Sequence, residues 1–125
     1  MWHFNGGDMI KKIDHVGMAV NNLDSALAFY RDVLGIEASS VEDYAPDQIR
    51  TAFLKVGDAS FEVMAPTSPE SPVAKFLEKR GEGMHHISLE VDDILAELKK
   101  LEAKGVALID KEPRQGAHLI VAFVH

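Results

Sequence analysis

Residues 13–35 read IDHVGMAVNNLDSALAFYRDVLG, and residues 84–105 read MHHISLEVDDILAELKKLEAKG. When the second stretch is moved back by 71 positions, His86 falls on His15 and the pair Asp92-Asp93 falls on Asn21-Asn22. Apolar residues that follow these pairs at helical spacing align as well. Because solenoid repeats recur roughly every 20–50 residues, this longer offset predicts two copies of one supersecondary module.

Each copy is predicted to start with a strand and to continue with a helix. Around both histidines, apolar residues alternate with small or polar ones, so each strand has an apolar face for helix packing and a polar face that lines a cleft. Asn22 and Asp93 can cap the free N–H groups at the two helix starts. Gly35 and Gly105 follow the two helix ends, where a left-handed residue is favoured. The apolar stripe expected on the first helix comprises Leu23, Ala26, Leu27, Tyr30, Val33 and Leu34.

The remaining segments predict the order βαβββ in the first copy and βαββ in the second. Candidate strands are residues 36–41, 49–56 and 60–65, then 106–109 and 119–124, with a loop at 113–116 and a linking helix at 73–80. The fold class is therefore α+β, built from two pseudo-symmetric βαβββ modules that form a mixed sheet. We expect the final strand of the second module to be missing, which leaves an open sheet edge that a homodimer could cover.

The length of 125 residues predicts one domain. We expect residues 1–9 to be an N-terminal extension or tag and residues 10–125 to form the domain. Within it, module one covers about 10–70, a linker helix about 71–82, and the incomplete module two about 83–125.

Composition excludes several classes of function. There are no cysteines, which rules out disulfide scaffolds and cysteine nucleophiles. The net charge of −7 and the lack of a basic cluster argue against nucleic-acid binding. No apolar run is long enough to span a bilayer, and no signal pattern precedes the domain, so we expect no membrane association and a cytoplasmic protein.

Two histidines and one glutamate are candidate metal ligands. His15 and His86 occupy equivalent places on the polar strand faces, so pseudo-twofold packing could bring them into one cleft. Two imidazoles with oxygen ligands suit a divalent transition metal. Glu62 lies between Phe61 and Val63 on a predicted central strand, where a buried carboxylate needs a partner such as a metal. The alternatives are that each histidine is satisfied locally and that Glu62 is exposed on an edge strand.

The other histidines are not expected to bind metal. His85 is next to His86, so it should point to the opposite face and pack under a helix or at the strand entrance. His3 lies in the N-terminal extension, and His118 and His125 are expected to be exposed.

Several stretches resemble one enzyme family. DHVGMAV at residues 14–20 and SPESPVAKFLEKRGEGMHHI at residues 68–87 are similar to the methylmalonyl-CoA epimerase family of the vicinal oxygen chelate, or glyoxalase-like, superfamily. The second stretch is much more specific than a strand that carries a histidine. The resemblance covers almost all of residues 10–125 and implies a pair of βαβββ modules that form a cupped sheet.

The resemblance also implies a site and a reaction. His15, Glu62 and His86, with a glutamate on the final strand, would hold a divalent metal, whether cobalt, manganese, nickel or zinc. The metal would stabilise the enolate formed when the C2 proton of methylmalonyl-CoA is removed and returned on the opposite face. One acid/base carboxylate follows the second strand in the family, and Asp47 is the carboxylate nearest to that register here. The implied partner is an acyl-CoA substrate.

Two other functions remain open. The chain could be another enzyme of the same superfamily, such as a lactoylglutathione lyase, or a metal-free small-molecule binding protein with the same fold. The stretch SPESPVAKFLEKRGEG favours the epimerase over the lyase. Because the implied glutamate of the final strand is missing from the ligand set, the metal-free binding protein remains an alternative.

Overall fold

The computed structural model describes residues 10–116 and 119–125. The extension predicted at residues 1–9, with His3, and the exposed position predicted for His118 lie outside the described residues. The strands are β1 (Ile10–Ala19), β2 (Ser40–Tyr44), β3 (Ile49–Val56), β4 (Ala59–Pro66), β5 (Gly83–Val91), β6 (Arg114–Gln115) and β7 (Ile120–Val121). The helices are α1 (Leu23–Asp32), α2 (Pro72–Arg80) and α3 (Ile94–Ala103), and a short 3-10 turn covers Ala45–Asp47.

Two compact units divide the described chain. Residues 13–89 form one unit, and residues 10–12 with residues 90–125 form the other. The first three residues of β1 and the last two of β5 are thus grouped with the second unit.

The unit at 13–89 contains most of a five-stranded mixed sheet in the order β2-β3-β4-β1-β5. β1 pairs with β4 in parallel, and the hairpins β2–β3 and β3–β4 are antiparallel. The order β1-α1-β2-β3-β4 confirms the predicted first module, and the α+β class with a mixed sheet and three helices is confirmed. α2 confirms the predicted helix at 73–80, one residue earlier.

Both faces of this sheet are covered by helix in part. On one face, α1 packs Leu23 against the buried side chains of Leu54 and Val63. On the other face, α2 packs Val73 against Ala19 and Met64. The second contact explains why Met64, which shares the strand face of Glu62, lies under a helix and not in an open cleft.

Two predictions in this unit are wrong in detail. The strand expected at 36–41 is found at Ser40–Tyr44. Ile36 and Ala38 lie in the irregular segment after α1, where they pack on the core and form no strand pairs. Val33 and Leu34, expected on the buried stripe of α1, are 65% and 52% exposed, since the helix ends at Asp32.

The outer face of β5 also differs from expectation. Ile87 and Leu89 were predicted to pack on helices, but they are 53% and 48% exposed. Apolar residues therefore alternate along β5 as predicted, but the face that carries Ile87 and Leu89 is not buried in the part of the chain that the structure describes.

The helix α3 of the second unit begins in the same way as α1. Asp93 accepts a hydrogen bond from the backbone N–H of Ala96 at 3.1 Å, just as Asn22 accepts one from Ser25 at 2.9 Å, so both predicted helix caps are confirmed. Gly35 and Gly105 follow the helices with φ of 72° and 81°, as the C-terminal caps required.

The end of the second unit is less regular than predicted. The strand expected at 106–109 is reduced to one bridge between Leu108 and Val124, and the strand at 119–124 to β7. The loop expected at 113–116 contains β6, which pairs with β7. The absence of a final strand stays a prediction. Among the described residues, none of the helices has the length and apolarity to span a membrane.

Candidate metal centre

The three predicted ligands lie on three neighbouring strands of the unit at 13–89. His15 is on β1, Glu62 on β4 and His86 on β5, and the sheet order places β1 between the other two. The parallel register pairs Gly17 of β1 with Glu62, two residues beyond His15 on the same face. Strand alternation and the order of the strands thus place all three side chains close together on one face of the sheet.

Ring nitrogens and a carboxylate oxygen converge there. His15 Nε2 lies 3.1 Å from His86 Nε2, and Glu62 Oε1 lies 3.4 Å from the first and 3.5 Å from the second. One ligand atom from each residue falls within 4.8 Å of the others. His15 and Glu62 are buried, and His86 is half-buried.

These spacings fit a bound divalent ion. Ligand atoms about 2.0–2.2 Å from a common zinc-like ion, at tetrahedral or octahedral angles, are themselves roughly 3–3.5 Å apart. The three observed separations fall in that interval. Two imidazoles with one carboxylate also form a donor set that transition metals accept.

The hydrogen bond on the far side of His15 fixes which of its nitrogens is free. His15 Nδ1 lies 2.8 Å from Asp14 Oδ2. A carboxylate only accepts, so Nδ1 donates, and in the neutral ring Nε2 is the nitrogen whose lone pair a metal could use. This carboxylate–histidine arrangement is the one that metal sites use to orient an imidazole.

Glu62 is held ionised within this cluster. Burial alone would raise its pKa, but the hydrogen bonds and charges of His15 and His86 outweigh burial and lower the pKa to about 2. Its second oxygen, Oε2, accepts a hydrogen bond from the buried Thr51 hydroxyl at 3.1 Å. Oε1 therefore stays directed at the two imidazoles.

The pKa values of His15 and His85 are shifted in opposite directions. Burial opposes a charge on His15, but its bonds to Glu62 and Asp14 prevail and raise its pKa above the ordinary value. Burial and the neighbouring charge of His86 lower the pKa of His85.

His85 does not lie where the sequence predicted. Its Nδ1 is 2.9 Å from Nδ1 of His86, so the expectation that it points away from His86 is wrong. The expectation that it packs under a helix is met by a ring contact with Phe76 of α2, with centroids 4.8 Å apart. Both contacts occur near the start of β5, where the ring turns toward its neighbour.

Three supporting residues were missed by the sequence reasoning. Asp14 and Thr51 contact ligands, and a Cβ at Gly17 would lie 2.2 Å from the His86 ring. Gly17 alone had a usable signal, because alternation placed it on the ligand face beside His15. Thr51 comes from a strand whose register the sequence does not specify.

Asp47, the predicted acid/base group, lies outside the ligand cluster. It ends the 3-10 turn and is half-buried, and its negative charge acts to raise the pKa of His85 against the larger lowering effect of burial. Its backbone carbonyl accepts a hydrogen bond from the fully buried Ser71 hydroxyl at 2.9 Å. The same Ser71 oxygen caps α2 by accepting from the Val73 N–H. The turn is thus fastened to the start of α2.

Comparison with known proteins assigns the fold to a class. The family model described as the Glyoxalase/Bleomycin resistance protein/Dioxygenase superfamily matches residues 14–123. The chain therefore belongs to this superfamily, and the resemblance predicted from residues 14–20 and 68–87 is confirmed at that level.

Within the superfamily, the relatives to which the chain is similar include several methylmalonyl-CoA epimerases. The ethylmalonyl-CoA/methylmalonyl-CoA epimerase of Cereibacter sphaeroides is 38% identical over 94% of this chain and 90% of its own. The mitochondrial methylmalonyl-CoA epimerase of Mus musculus is 36% identical over 91% of this chain, which spans 65% of that protein. A variant of the Streptomyces coelicolor enzyme, solved with 2-nitronate-propionyl-CoA, has a TM-score of 0.89 at 34% identity and covers 94% of this chain and 86% of its own.

Proposed function

We propose that the protein is a metal-dependent epimerase that interconverts the (R) and (S) forms of methylmalonyl-CoA. The observation that carries the proposal is the convergence of His15, Glu62 and His86 within 4.8 Å, in a chain similar to methylmalonyl-CoA epimerases over nine-tenths of its length. The acyl-CoA ligand of the Streptomyces coelicolor structure supports the substrate class.

The reaction removes the C2 proton, which the neighbouring thioester carbonyl makes acidic, and returns a proton to the opposite face. A divalent ion, when bound, supplies a Lewis acid for the negative charge that develops on the thioester oxygen. His15 and His86 would each present Nε2 of a deprotonated ring to that ion, and Glu62 would present an ionised oxygen. Cobalt, manganese, nickel and zinc all fit this donor set.

Two acid/base groups are required, one on each face of C2. We assign one of these roles to Asp47, because the 3-10 turn and its bond to Ser71 hold it beside the start of α2, on the His85 side of the ligand cluster. The second group would come from the final strand that the family pattern implies. A homodimer and a cytoplasmic location remain predictions.

Deuterium incorporation tests the proposal directly. The protein is incubated with methylmalonyl-CoA in deuterated water, with cobalt or with a chelator, and C2 deuteration is followed by mass spectrometry. We expect uptake with cobalt and none with the chelator. His86→Ala should remove both metal and uptake, whereas His125→Ala, an exposed histidine far along the chain, should leave both unchanged.

The same assay separates the alternatives. The hemithioacetal of methylglyoxal and glutathione replaces methylmalonyl-CoA as the substrate. Turnover of the hemithioacetal without deuterium uptake into methylmalonyl-CoA would favour a lactoylglutathione lyase. Metal-independent binding without turnover of either compound would favour the small-molecule binding protein.

A further inference from the structure

The residue that precedes each metal-ligand histidine contacts that histidine's Nδ1. Asp14 Oδ2 lies 2.8 Å from Nδ1 of His15, and His85 Nδ1 lies 2.9 Å from Nδ1 of His86. Asp14 and His85 are separated by the same 71 positions that relate the two ligands. The two copies of the module thus place a hydrogen-bonding group at equivalent positions but use different chemistry.

We propose that His85 is a positioning residue for His86, accepting the hydrogen bond from its Nδ1–H and so directing its Nε2 to the metal. The proposal rests on the proposed function, since it assumes a metal at His15, Glu62 and His86. Its counterpart in the first module is the Asp14–His15 pair.

In the metal-bound protein, the ligand role of Nε2 determines which atom of His86 donates. His86 Nε2 is the nitrogen that faces His15 Nε2 at 3.1 Å and Glu62 Oε1 at 3.5 Å, so its lone pair must be free there to bind a cation. The ring proton of neutral His86 then sits on Nδ1. His85 Nδ1 is the acceptor, and the proton of His85 is on its own Nε2.

A helix holds the acceptor in place. The ring of His85 contacts that of Phe76 on α2 edge to face, with an interplanar angle of 66°. Phe76 packs on the buried cluster that includes Met64 and Val73. The position of α2 therefore sets the position of His85, and through it the orientation of the His86 ring. Partners of this kind typically change metal affinity about 10–100-fold when removed.

Cobalt binding separates this role from simple packing. In His85→Phe a flat ring remains against Phe76 but the acceptor is lost, and in His85→Asn the amide oxygen can restore the acceptor near the former Nδ1. We expect about 10–100-fold weaker cobalt binding in His85→Phe, measured by chelator competition and by the visible absorption of bound cobalt. His85→Asn should recover most of the affinity, and His125→Phe should bind like wild type.

A second measurement uses the zinc-bound protein, in which Nε2 of His86 is occupied by the ion and its ring proton is on Nδ1. Long-range ¹H–¹⁵N NMR spectra report that Nδ1–H and how fast it exchanges with water. We expect slow exchange in wild type and in His85→Asn, where the proton is hydrogen-bonded, and fast exchange in His85→Phe. Wild-type cobalt affinity in His85→Phe, or equally fast exchange of the His86 Nδ1–H in wild type and His85→Phe, would overturn the proposal. Failure of wild type to bind cobalt at all would instead overturn the proposed function, and the assigned role of His85 with it.

Discussion

Gly17 leaves the space that the His86 ring occupies: a Cβ at position 17 would lie 2.2 Å from Cε1 of that ring and 2.4 Å from its Nδ1. β1 and β5 are neighbours in the sheet, and Gly17 is itself paired with Glu62 of β4. Gly17, which has no side chain, therefore lies on the same strand face as the three proposed ligands and next to them. No other side chain at this position could leave the imidazole where it is.

Gly17→Ala should consequently displace His86. Alanine usually improves a strand interior relative to glycine, but here we expect a loss of about 1–3 kcal/mol in unfolding free energy, typical of an overpacked core. Metal affinity should fall with it. Urea unfolding and cobalt titration measure the two effects.

The control for this prediction is the double variant. In a His86→Ala background the clash partner is gone, so adding Gly17→Ala should cost little or nothing. Equal costs in both backgrounds would show that the Cβ meets something other than the imidazole.

Thr51 is expected to hold the carboxylate of Glu62. Its hydroxyl donates to Oε2 at 3.1 Å, and both residues are almost fully buried. Thr51→Val keeps the shape but leaves a buried charged oxygen without this donor, which should cost about 1–3 kcal/mol of stability. Thr51→Ser keeps the hydroxyl and should retain its contribution to metal affinity. Equal cobalt affinity in the serine and valine variants would exclude this role.

The pH dependence of stability should reflect Glu62 and His15 in the metal-free protein. The hydrogen bonds from His15 and His86 outweigh burial and lower the pKa of Glu62 from 4.5 to about 2, so its contribution is present above pH 4.5 and is lost as the pH falls toward 2. Despite burial, the bonds to Glu62 and Asp14 raise the pKa of His15 above 6.5, so its contribution is present below pH 6.5 and is lost as the pH rises through the raised value.

Bound metal should offset the loss of stability that the metal-free protein shows as the pH rises above 6.5. Metal binds only neutral His15, so cobalt affinity should increase as the pH rises above 6.5, with release of a proton. Urea unfolding across pH, with and without cobalt, measures both trends. Glu62→Gln should flatten the acid slope and reduce the alkaline loss. If Glu62→Gln keeps the wild-type acid slope, another carboxyl group is responsible.

Local patterns were sufficient to predict the first module, and together with the repeat they singled out the three candidate ligands that the structure brings together. Alternation and capping residues identified β1 and α1, and β3 was predicted with the bounds that the structure has. The equivalence of His15 and His86 came from the repeat alone. Alternation and capping depend on residues close in sequence, and the repeat is visible in the sequence itself, so none of these features required the packing to be known.

Features that depend on packing between distant segments were not predictable in the same way. The Thr51–Glu62 bond requires the β3–β4 register, and the contact between Phe76 and His85 requires α2 to lie over the sheet. Ile36 and Ala38 suggested a strand because they are apolar and alternate, but their burial comes from the core against α1. Strand alternation could not predict the orientation of His85, because its ring contacts Phe76 of the distant helix α2.

Asp47→Asn tests the acid/base assignment separately from metal binding. Loss of one general base typically costs about 10²–10⁴-fold in rate, so we expect a fall of that size in C2 deuteration of methylmalonyl-CoA. Cobalt affinity should not change, because the Asp47 carboxylate lies outside the cluster of His15, Glu62 and His86. The control is Asp43→Asn, a highly exposed carboxylate on β2 in the same region of sequence, which should leave the rate unchanged. A wild-type rate in Asp47→Asn would move the acid/base role to another group, whereas loss of cobalt binding would show that the turn at Ala45–Asp47 supports the ligands themselves.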